Sequence, residues 1–423
     1  MTHSPGFADC ADDRIPFPEL TRSAAKTPAV IVSGDADGLG IARCLGKAGV
    51  PIIVVDNDRR RPAMHSRYVR PFVATSIFGP DLIDSLLHLR TSLKVTPLLF
   101  LTTDPQVRTI SEHRRRIEGA FHIRLPEPSC IRQLLHKQTF QSLAERHGFP
   151  VPHAVHVGSE KDFAGFSRLR FPAVIKPGDK ELFFSGKAPR AQKVQSREEA
   201  ESVCRAILRE APDLIVQEWV DGEESDIYFC LQYRGADGLT VSSFVGRKLR
   251  CWPPQTGSTA SCTAAPEVET LLESITTNFF DAMHMAGMCS MEFKKDRNSG
   301  KFFMIEPTVG RTDWQEEVAS INGINIPLAA YSYELGFSLP EPTRPRNPLV
   351  WVHPPSYVRS FFARPFGGRH PALAAIKNPC CSLDDPLPSA FFVLEWLRKF
   401  WSPSRWREFV SAASHTKRAR SQA

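Results

Sequence analysis

Short apolar runs separated by a helical pattern mark the first part of the chain as a βαβ unit. Apolar strands are predicted at 28–32 and 51–55, and the glycine-containing segment 38–49 between them has the pattern of a helix. A further buried strand is predicted at 97–101. Strands that alternate with helices favour a parallel, Rossmann-like sheet in an α/β unit. Residues 1–27 are polar and aperiodic, so we expect them to be disordered.

The middle of the chain changes to a pattern with more strands than helices, which favours an α+β unit behind the α/β unit. Further strands are predicted at 173–175, 215–220, 227–232 and 242–250. Further helices are predicted at 131–147, 197–210 and 266–286. A capping box formed by Asp313 and Glu316 opens another helix, with Asp313 as its N-cap.

Two runs of alternating apolar and polar residues flank a turn near the end of this unit, and each run carries one carboxylate, Glu292 or Glu306. A three-residue loop that pairs Arg297 with Lys301, with Gly300 in the left-handed conformation, sets the two carboxylates directly opposite each other. Opposed like charges destabilise a sheet unless a cation lies between them. The hairpin alone therefore predicts either a Mg²⁺ site, completed by phosphate and water oxygens, or an ordinary charged turn.

The composition is that of a globular protein with more than one domain. A length of 423 residues favours two or three domains. Apolar residues make up 42% and charged residues 23%, as in soluble proteins. No run of apolar residues is long enough to predict a membrane span, and the acidic N-terminus has no apolar core of a secretory signal. The ten cysteines include no CxxC pair, so we expect reduced thiols and a cytoplasmic protein.

The net charge of +7 is concentrated at the C-terminal end, where seven basic side chains stand against two acidic ones from residue 390 onward. Residues 391–401 have the pattern of a basic aromatic amphipathic helix. Such a helix either docks on the protein's own core, which is the more common outcome, or lies on an anionic membrane surface. No nucleic-acid-binding motif accompanies the charge, so we expect no nucleic-acid partner.

Three elements in the middle of the chain suit a bound nucleotide. Lys176 ends an apolar strand whose alternation turns it inward, and a buried ammonium group needs an anionic partner. The stretch after it, which includes Gly186, offers backbone amides to phosphates, although no Walker A motif occurs. Residues 218–220 form a hinge whose backbone groups can pair with an adenine edge. Glu224 follows and can accept hydrogen bonds from ribose hydroxyls.

The order of these elements resembles the ATP-grasp superfamily of carboxylate–amine ligases. That family has a lysine-bearing helix with a glycine–proline stop, a strand lysine with a glycine loop, a hinge after a glutamate, a basic residue on a central strand, and two acidic residues across a hairpin. The matching residues here are Lys137 with 148–152, Lys176 with Gly186, Glu218 to Glu224, Arg247 with Lys248, and Glu292 with Glu306. The resemblance covers residues 28–340. The stretch 310–327 is similar to a branch that resembles D-aspartate ligase and the carbamoyl phosphate synthase large chain.

The resemblance implies an ATP site. Lys137 and Lys176 would contact the phosphates of ATP, Gly186 would lie in the loop over them, and Glu224 would hold the ribose. The residues that would line the adenine slot are Glu218, Trp219 and Val220.

The resemblance also implies a metal site and a set of catalytic cations. Glu292 and Glu306 would bind Mg²⁺, with Mn²⁺ as an alternative metal. Where the family has Glu-x-Asn, this chain has Thr308, which offers one hydroxyl oxygen without the geometry of an amide. The cations that would neutralise the transferring phosphoryl group and the substrate carboxylate are Arg247 or Lys248, and Arg311.

The implied activity is ATP-dependent ligation of a small carboxylate to an amine, or to another nucleophile such as a thiol, through an acyl phosphate. The implied layout is a Rossmann-like domain at 28–125, a lid subdomain at 126–220, a central antiparallel ATP-grasp subdomain at 221–340, and a linker with a helical tail at 341–423. A homodimer is a further expectation.

Two other functions fit parts of the sequence. A nucleotide-binding scaffold without turnover is favoured by Thr308. An NAD(P)-dependent oxidoreductase would use the glycine-rich loop 34–40, with Asp56 as the acid that binds the ribose. Arg43 stands where the third glycine of that dinucleotide fingerprint belongs, so a structural role for the loop is the stronger interpretation.

Overall fold

A parallel four-stranded sheet forms the N-terminal part of the computed structural model, which describes residues 27–179, 191–210, 213–365, 375–377 and 382–400, without the side chains of 377, 393 and 395–400. Its strands are β1 (Ala29–Val32), β2 (Ile52–Asp56), β3 (Val69–Val73) and β4 (Leu98–Phe100), in the order β3-β2-β1-β4. The helices of this part are α1 (Ala36–Gly46), α2 (Gly79–Thr91), α3 (Asp104–Glu112) and α4 (Arg114–Ile117). The predicted Rossmann-like βαβ unit is confirmed.

Two helices and a second four-stranded sheet follow. The helices are α5 (Pro128–Leu135) and α6 (Lys137–Arg146). The sheet is antiparallel, in the order β5-β8-β6-β7, and consists of β5 (Ala154–Val157), β6 (Ala173–Pro177), β7 (Gln192–Val194) and β8 (Leu214–Glu218), with helix α7 (Arg197–Leu208). The prediction of one helix over 131–147 is wrong. The backbone of His136 is extended, so the helix ends before it and a new helix begins at Lys137.

The third sheet has seven strands in the order β13-β12-β9-β10-β11-β14-β15. They are β9 (Ile227–Arg234), β10 (Thr240–Trp252), β11 (Ser258–Ala264), β12 (Gly287–Lys295), β13 (Phe302–Val309), β14 (Val350–Val352) and β15 (Ile376–Lys377). The helices of this part are α8 (Glu269–Ala282), α9 (Glu317–Ile321), α10 (Ile326–Glu334), α11 (Pro354–Ala363) and α12 (Leu387–Phe400). The sheet thus continues beyond residue 340, because β14 pairs with β11.

The two faces of the third sheet bury different parts of the chain. Tyr228 and Phe293 belong to one core cluster with Phe279 of α8. Phe229, the next residue along β9, belongs to a second cluster with Ile31 of the N-terminal sheet. This alternation follows from the two-residue period of a strand. The N-terminal sheet contributes to both clusters, with Val30 in the first and Ile31 in the second.

The C-terminal segment docks on the N-terminal part of the chain. The ring of Phe391 stacks on His65, with centroids 3.4 Å apart. Asp385 is buried and accepts hydrogen bonds from Arg43 Nε at 2.9 Å and from Ser66 Oγ at 2.8 Å. Docking is therefore realised for the start of the predicted amphipathic helix. Residues 401–423 lie outside the described residues, so membrane contact through them stays a prediction.

The composition leads to two expectations that concern the described ranges: the state of the cysteines and the absence of a membrane-spanning helix. The seven cysteines in those ranges are free thiols, which agrees with the predicted reduced state, and all seven are buried. None of the helices in those ranges is long and apolar enough to cross a membrane.

Candidate active site

The predicted carboxylate pair is present, because Glu292 on β12 pairs directly with Glu306 on β13. The turn differs from the prediction, since Asp296 and Lys301 close a four-residue loop and not a three-residue one. That change alone would shift the register by one residue. An irregularity in β13, where Ile305 is left out of the pairing, restores the register. The opposed carboxylates are confirmed, and the assumed turn is wrong.

Each carboxylate of the pair faces a lysine. The Nζ atom of Lys248, on β10, lies 2.5 Å from Glu292 Oε2, and the lysine side chain is only 5% exposed. The Nζ atom of Lys137, at the start of α6, lies 3.9 Å from Glu306 Oε1. Both ammonium groups therefore occupy positions where a cation relieves the repulsion between opposed carboxylates.

A third lysine lies on the same face of β12 as Glu292, two residues further along the strand. The Nζ atom of Lys294 donates to the carbonyl oxygens of Gly222 at 3.0 Å and Glu223 at 2.5 Å. Burial lowers the pKa of this lysine, although nearby acidic groups oppose the shift. Lys294 thus fixes the turn that follows the hinge to the strand that carries Glu292.

Lys176 lies at the end of β6, where it was predicted to turn inward. Its Nζ atom donates to Gln217 Oε1 at 3.0 Å, and Gln217 Nε2 donates to Gln141 Oε1 at 2.9 Å. The first side chain of this series is half-buried and the other two are buried. The series links β6, β8 and α6, so it holds the lysine near the start of the helix that carries Lys137.

His136 and Asp213 hold the start of α6 against the second sheet. His136 Nε2 lies 2.7 Å from Asp213 Oδ2, and this hydrogen bond raises the pKa of the histidine although burial opposes the rise. The backbone N–H of Lys137 donates to the carbonyl oxygen of Gly178 at 3.0 Å, and the N–H of Gly178 donates to Asp213 O at 2.8 Å. The break between α5 and α6 therefore places Lys137 beside the chain that follows Lys176.

The hinge residues act through different groups. The carboxylate of Glu218 accepts from the backbone N–H of Arg170 at 2.9 Å and from its Nη2 at 2.8 Å. Burial raises the pKa of Glu218, but these bonds outweigh it and the net shift is downward. The ring of Trp219 lies 4.3 Å from Lys193 Nζ, in cation–π contact. Within the described ranges the N–H of Val220 has no hydrogen-bond acceptor. Since the backbone N–H of Glu218 donates to the carbonyl oxygen of His153 at 2.8 Å, Glu218 can offer a ligand its backbone carbonyl, and Val220 can offer its N–H.

The predicted ribose contact of Glu224 does not fit its surroundings. The side chain is buried, and its two oxygens accept from the backbone N–H groups of Cys251 at 2.7 Å and Gln255 at 3.2 Å. Arg364 lies 3.6 Å from the second of these oxygens. Glu224 therefore fixes the end of β10, and we correct the prediction accordingly.

The choice between Arg247 and Lys248 is decided by the alternation of β10. Arg247 donates to the carbonyl oxygen of Ser225 through Nε and Nη2, and its guanidinium lies over the ring of Tyr228. Tyr228 belongs to the face opposite to that of Phe229. Arg247 is therefore separated by the sheet from the carboxylate pair, and only Lys248 joins it.

Arg311 lies among carboxylates that the sequence analysis did not connect with it. Its guanidinium forms an ion pair with Asp104 at the start of α3, and Asp313 Oδ1 is 3.9 Å from its Nη1. Burial lowers the pKa of Arg311, but Asp104 and the other acidic groups outweigh it and raise the value. Burial also raises the pKa of Asp37, which accepts from the Thr312 hydroxyl at 3.0 Å. Arg311 is thus engaged by Asp104 of helix α3 in the N-terminal part of the chain.

Thr308 lies opposite Ser290, beside the carboxylate pair. Its hydroxyl is 3.5 Å from Asp313 Oδ1, and Ser290 Oγ donates to Asp313 Oδ2 at 2.8 Å. The prediction that the side chain of Asp313 caps a helix is wrong. Only the bond from its backbone N–H to Glu316 Oε2, at 3.5 Å, survives, and its carboxylate is directed to the strands.

Solved structures of nucleotide-dependent enzymes share this architecture at low sequence identity. N5-carboxyaminoimidazole ribonucleotide synthetase in complex with ADP is 14% identical, with a TM-score of 0.61 over 86% of this chain and 92% of that one. Biotin carboxylase from Campylobacter jejuni, in its β-γ-ATP complex, is 14% identical, with a TM-score of 0.60 over 78% and 76% of the two chains. Both have the ATP-grasp fold. The chain has the ATP-grasp fold.

A third structure with the ATP-grasp fold is the biotin carboxylase domain of Hydrogenobacter thermophilus 2-oxoglutarate carboxylase, in complex with MgADP, ADP and bicarbonate. It is 13% identical, with a TM-score of 0.59 over 76% of this chain and 73% of that one. No protein-family model and no curated protein sequence matches the chain. At these identities the likeness establishes the fold, and the activity is argued from the site itself.

The donors at the carboxylate pair suit Mg²⁺. They are all oxygens, from Glu292, Glu306 and the hydroxyl of Thr308, and hard cations prefer oxygen ligands. No group of three His, Cys, Asp or Glu side chains in the described ranges forms a complete metal site. A cation here would therefore need water or phosphate oxygens as well, as Mg²⁺ commonly does. Gly186 lies outside the described residues, so its predicted place over the phosphates stays a prediction.

The glycine-rich loop after β1 is closed by the chain's own side chains. Asp56 is fully buried, and its carboxylate accepts from the backbone N–H groups of Gly34 at 2.7 Å and Asp58 at 2.9 Å. Arg61 pairs with Asp35 at 2.7 Å across the loop. A Cβ atom at Gly38 would meet the carbonyl oxygen of Ser33 at 2.0 Å, so this glycine serves the packing of α1. The loop is structural, and the fully buried carboxylate of Asp56 holds its backbone in place.

Two residues of the site were missed or misread from the sequence. The alternation that selected Glu292 also turns Lys294 to the same face, so the strand period could have found it. The contacts of Asp313 with β12 could not have been found, because a loop residue has no period and the partner Ser290 is 23 residues away in the chain.

Proposed function

We propose that this chain is an ATP-dependent ligase that activates a small carboxylate as an acyl phosphate and transfers the acyl group to an amine or another nucleophile, with release of ADP and phosphate. One observation carries the proposal. The opposed carboxylates Glu292 and Glu306 each face a lysine, Lys248 and Lys137, on the ATP-grasp fold. This combination of two oxygen ligands and two ammonium groups suits a polyphosphate with its divalent cation.

Glu292 and Glu306 would hold Mg²⁺, and bound Mg²⁺ supplies neutralisation of phosphate charge. The chain's own residues do the rest by position. Lys137 and Lys176 would pair with phosphate oxygens, and Lys248 would neutralise charge that develops on the transferring phosphoryl group. Phosphoryl transfer needs little covalent work from a protein, so positioned cations are the residue types that it requires.

The hinge would hold the base of ATP. The N–H of Val220 is a donor without an acceptor in the described ranges. The side chain of Glu218 is bonded to Arg170 and its N–H to His153, so its backbone carbonyl is the group that it can offer to a ligand. A donor and an acceptor two residues apart on one strand of backbone suit the edge of an adenine ring. Trp219 would cover the slot, with Lys193 on its ring.

The carboxylate substrate is proposed only by its chemical class. Solved structures with this fold include one that contains bicarbonate. Bicarbonate therefore belongs among the carboxylates to be tested, together with amino acids and small dicarboxylates, each with an amine acceptor.

The test is Mg²⁺-dependent ADP release from the full chain, measured across a library of carboxylates and amines. Replacing Glu306 with Gln should abolish ADP release while leaving the thermal unfolding temperature unchanged. Glu341→Gln is the matched control, because Glu341 is an exposed glutamate outside the sheets, and it should keep full activity. Undiminished activity in Glu306→Gln would remove the metal assignment.

An ATP-binding scaffold without turnover is the second candidate. Thr308 in place of an amide and the ion pair between Arg311 and Asp104 favour it, because both weaken the expected set of catalytic groups. Calorimetry separates the two functions. Tight binding of MgATP with no ADP release under any substrate pair would favour the scaffold.

A nicotinamide-dependent oxidoreductase is disfavoured, because the oxygens of Asp56 are used by backbone amides. Thermal stabilisation of the chain by NADH but not by MgATP would favour the oxidoreductase over the ligase.

A further inference from the structure

Asp313 bridges the two strands of the hairpin beside the carboxylate pair. Ser290 on β12 donates to one of its carboxylate oxygens at 2.8 Å, and the hydroxyl of Thr308 on β13 lies 3.5 Å from the other. Ser290 and Thr308 oppose each other, and they are two residues from Glu292 and Glu306 along their strands. A two-residue separation keeps all four side chains on one face of the sheet.

The chemistry of a hydroxyl explains why this contact matters for a cation. A threonine hydroxyl carries one donor proton and two acceptor lone pairs. When the proton is given to a carboxylate, both lone pairs stay available for a metal. An anionic acceptor also makes the hydroxyl oxygen more electron-rich, since hydrogen bonds to charged groups are the stronger ones. Asp313 is such an acceptor for Thr308.

The carboxylate of Asp313 is held in place from a third strand. Gln315 Nε2 donates to Asp313 Oδ2 at 3.3 Å, and the hydroxyl of Thr259 on β11 donates to Gln315 Oε1 at 3.2 Å. Ser290, Thr308, Thr259 and Gln315 are all buried. The position of the carboxylate is thus set by three strands and the loop, and a rigid partner is what orients a metal ligand.

We propose that Asp313 is a positioning residue for the Mg²⁺ site, which directs the hydroxyl oxygen of Thr308 toward the cation. The pair of Asp313 and Thr308 then supplies the third oxygen ligand in a chain that lacks the asparagine of the Glu-x-Asn motif. This inference rests on the proposed function, because it needs Mg²⁺ and a nucleotide at Glu292 and Glu306.

The test measures how ADP binding depends on Mg²⁺, by calorimetry on the full chain, with no substrate turnover required. In Asp313→Ala the Mg²⁺ concentration that gives half-maximal ADP affinity should rise about tenfold, as is typical when the partner of a metal ligand is removed. ADP affinity should return toward the wild-type value at saturating Mg²⁺. Electron paramagnetic resonance of bound Mn²⁺ should show the same weakening directly.

Two further variants separate positioning from a merely structural effect. Ser290→Ala removes one of the bonds that hold Asp313 and leaves the contacts of Asp313 with Thr308 and Gln315 in place, so it should raise the half-maximal Mg²⁺ concentration clearly less than Asp313→Ala does. In the Asp313→Ala background, Thr308→Asn should restore the Mg²⁺ dependence, because an amide oxygen needs no partner to take a proton.

The possible outcomes are distinguishable. An unchanged Mg²⁺ dependence in Asp313→Ala, or an equal change in Ser290→Ala, would overturn this inference while leaving the proposed function standing. Failure of the wild-type chain to bind ADP at any Mg²⁺ concentration would overturn the proposed function and the inference together.

Discussion

The ammonium nitrogen of Lys248 lies 2.5 Å from a carboxylate oxygen of Glu292, although β9 separates their two strands. The contact spans the sheet because both side chains rise from the same face and the lysine is long enough to cross the intervening strand. The lysine is almost fully buried and the glutamate is partly buried. Each charge therefore depends on the other for as long as no metal or phosphate is bound.

Replacing Lys248 with Met should make the stability of the protein depend on Mg²⁺. Without Mg²⁺, Glu292 loses its cation and faces Glu306 alone, so the free energy of unfolding should fall by about 1–3 kcal/mol. Added Mg²⁺ should recover more of it in the variant than in the wild type. Urea unfolding with and without Mg²⁺ measures both effects. Arg247→Met is the matched control, since Arg247 lies on the other face, and an equal Mg²⁺ response in the two variants would contradict the assignment.

Replacing Glu224 with Gln should lower stability without changing ribose recognition. The carboxylate accepts from two backbone N–H groups of the chain after β10, so its loss should cost about 1–2 kcal/mol of unfolding free energy. Discrimination between ADP and 2′-deoxy-ADP should stay as in the wild type. Glu223→Gln, at the more exposed neighbouring position, is the control for stability. Loss of discrimination in Glu224→Gln would instead return Glu224 to the ribose.

Local patterns predicted the parts of the site that lie on strands. The period of two residues places Glu292 and Glu306 correctly on one face, but the predicted turn is one residue too short. The error cancelled because Ile305 is left out of the pairing, and nothing in a run of apolar residues marks which one will be omitted.

The unpredicted parts depend on contacts between distant residues. Arg43 and Asp385 form a buried ion pair across 342 positions, and no local period records such a partner. The orientation of Glu224 and the engagement of Arg311 by Asp104 have the same origin. The motif predicts a ligand contact for each of these side chains, whereas the nearest partner of each comes from another part of the chain.

The pair of His136 and Asp213 predicts a pH dependence at the start of α6. The hydrogen bond that His136 donates to Asp213 raises the pKa of the histidine in the folded protein, whereas the unfolded chain has a histidine pKa of about 6.5. A raised pKa stabilises the fold fully below the unfolded value and loses that contribution as the pH rises through the folded value. The wild type should therefore exceed Asp213→Asn in stability at about pH 6, and the difference should shrink toward about pH 9.

Urea unfolding of the two proteins across this range measures the difference, and the histidine titration seen by nuclear magnetic resonance locates the folded pKa. His147→Gln is the control, because His147 is an exposed histidine at the other end of α6 and should leave the profile unchanged. Since Lys137 follows His136 directly, loss of the pair should also weaken ADP binding at low pH more than at high pH. A stability difference that does not change with pH would show that His136 stays neutral and that its hydrogen bond to Asp213 is not an ion pair.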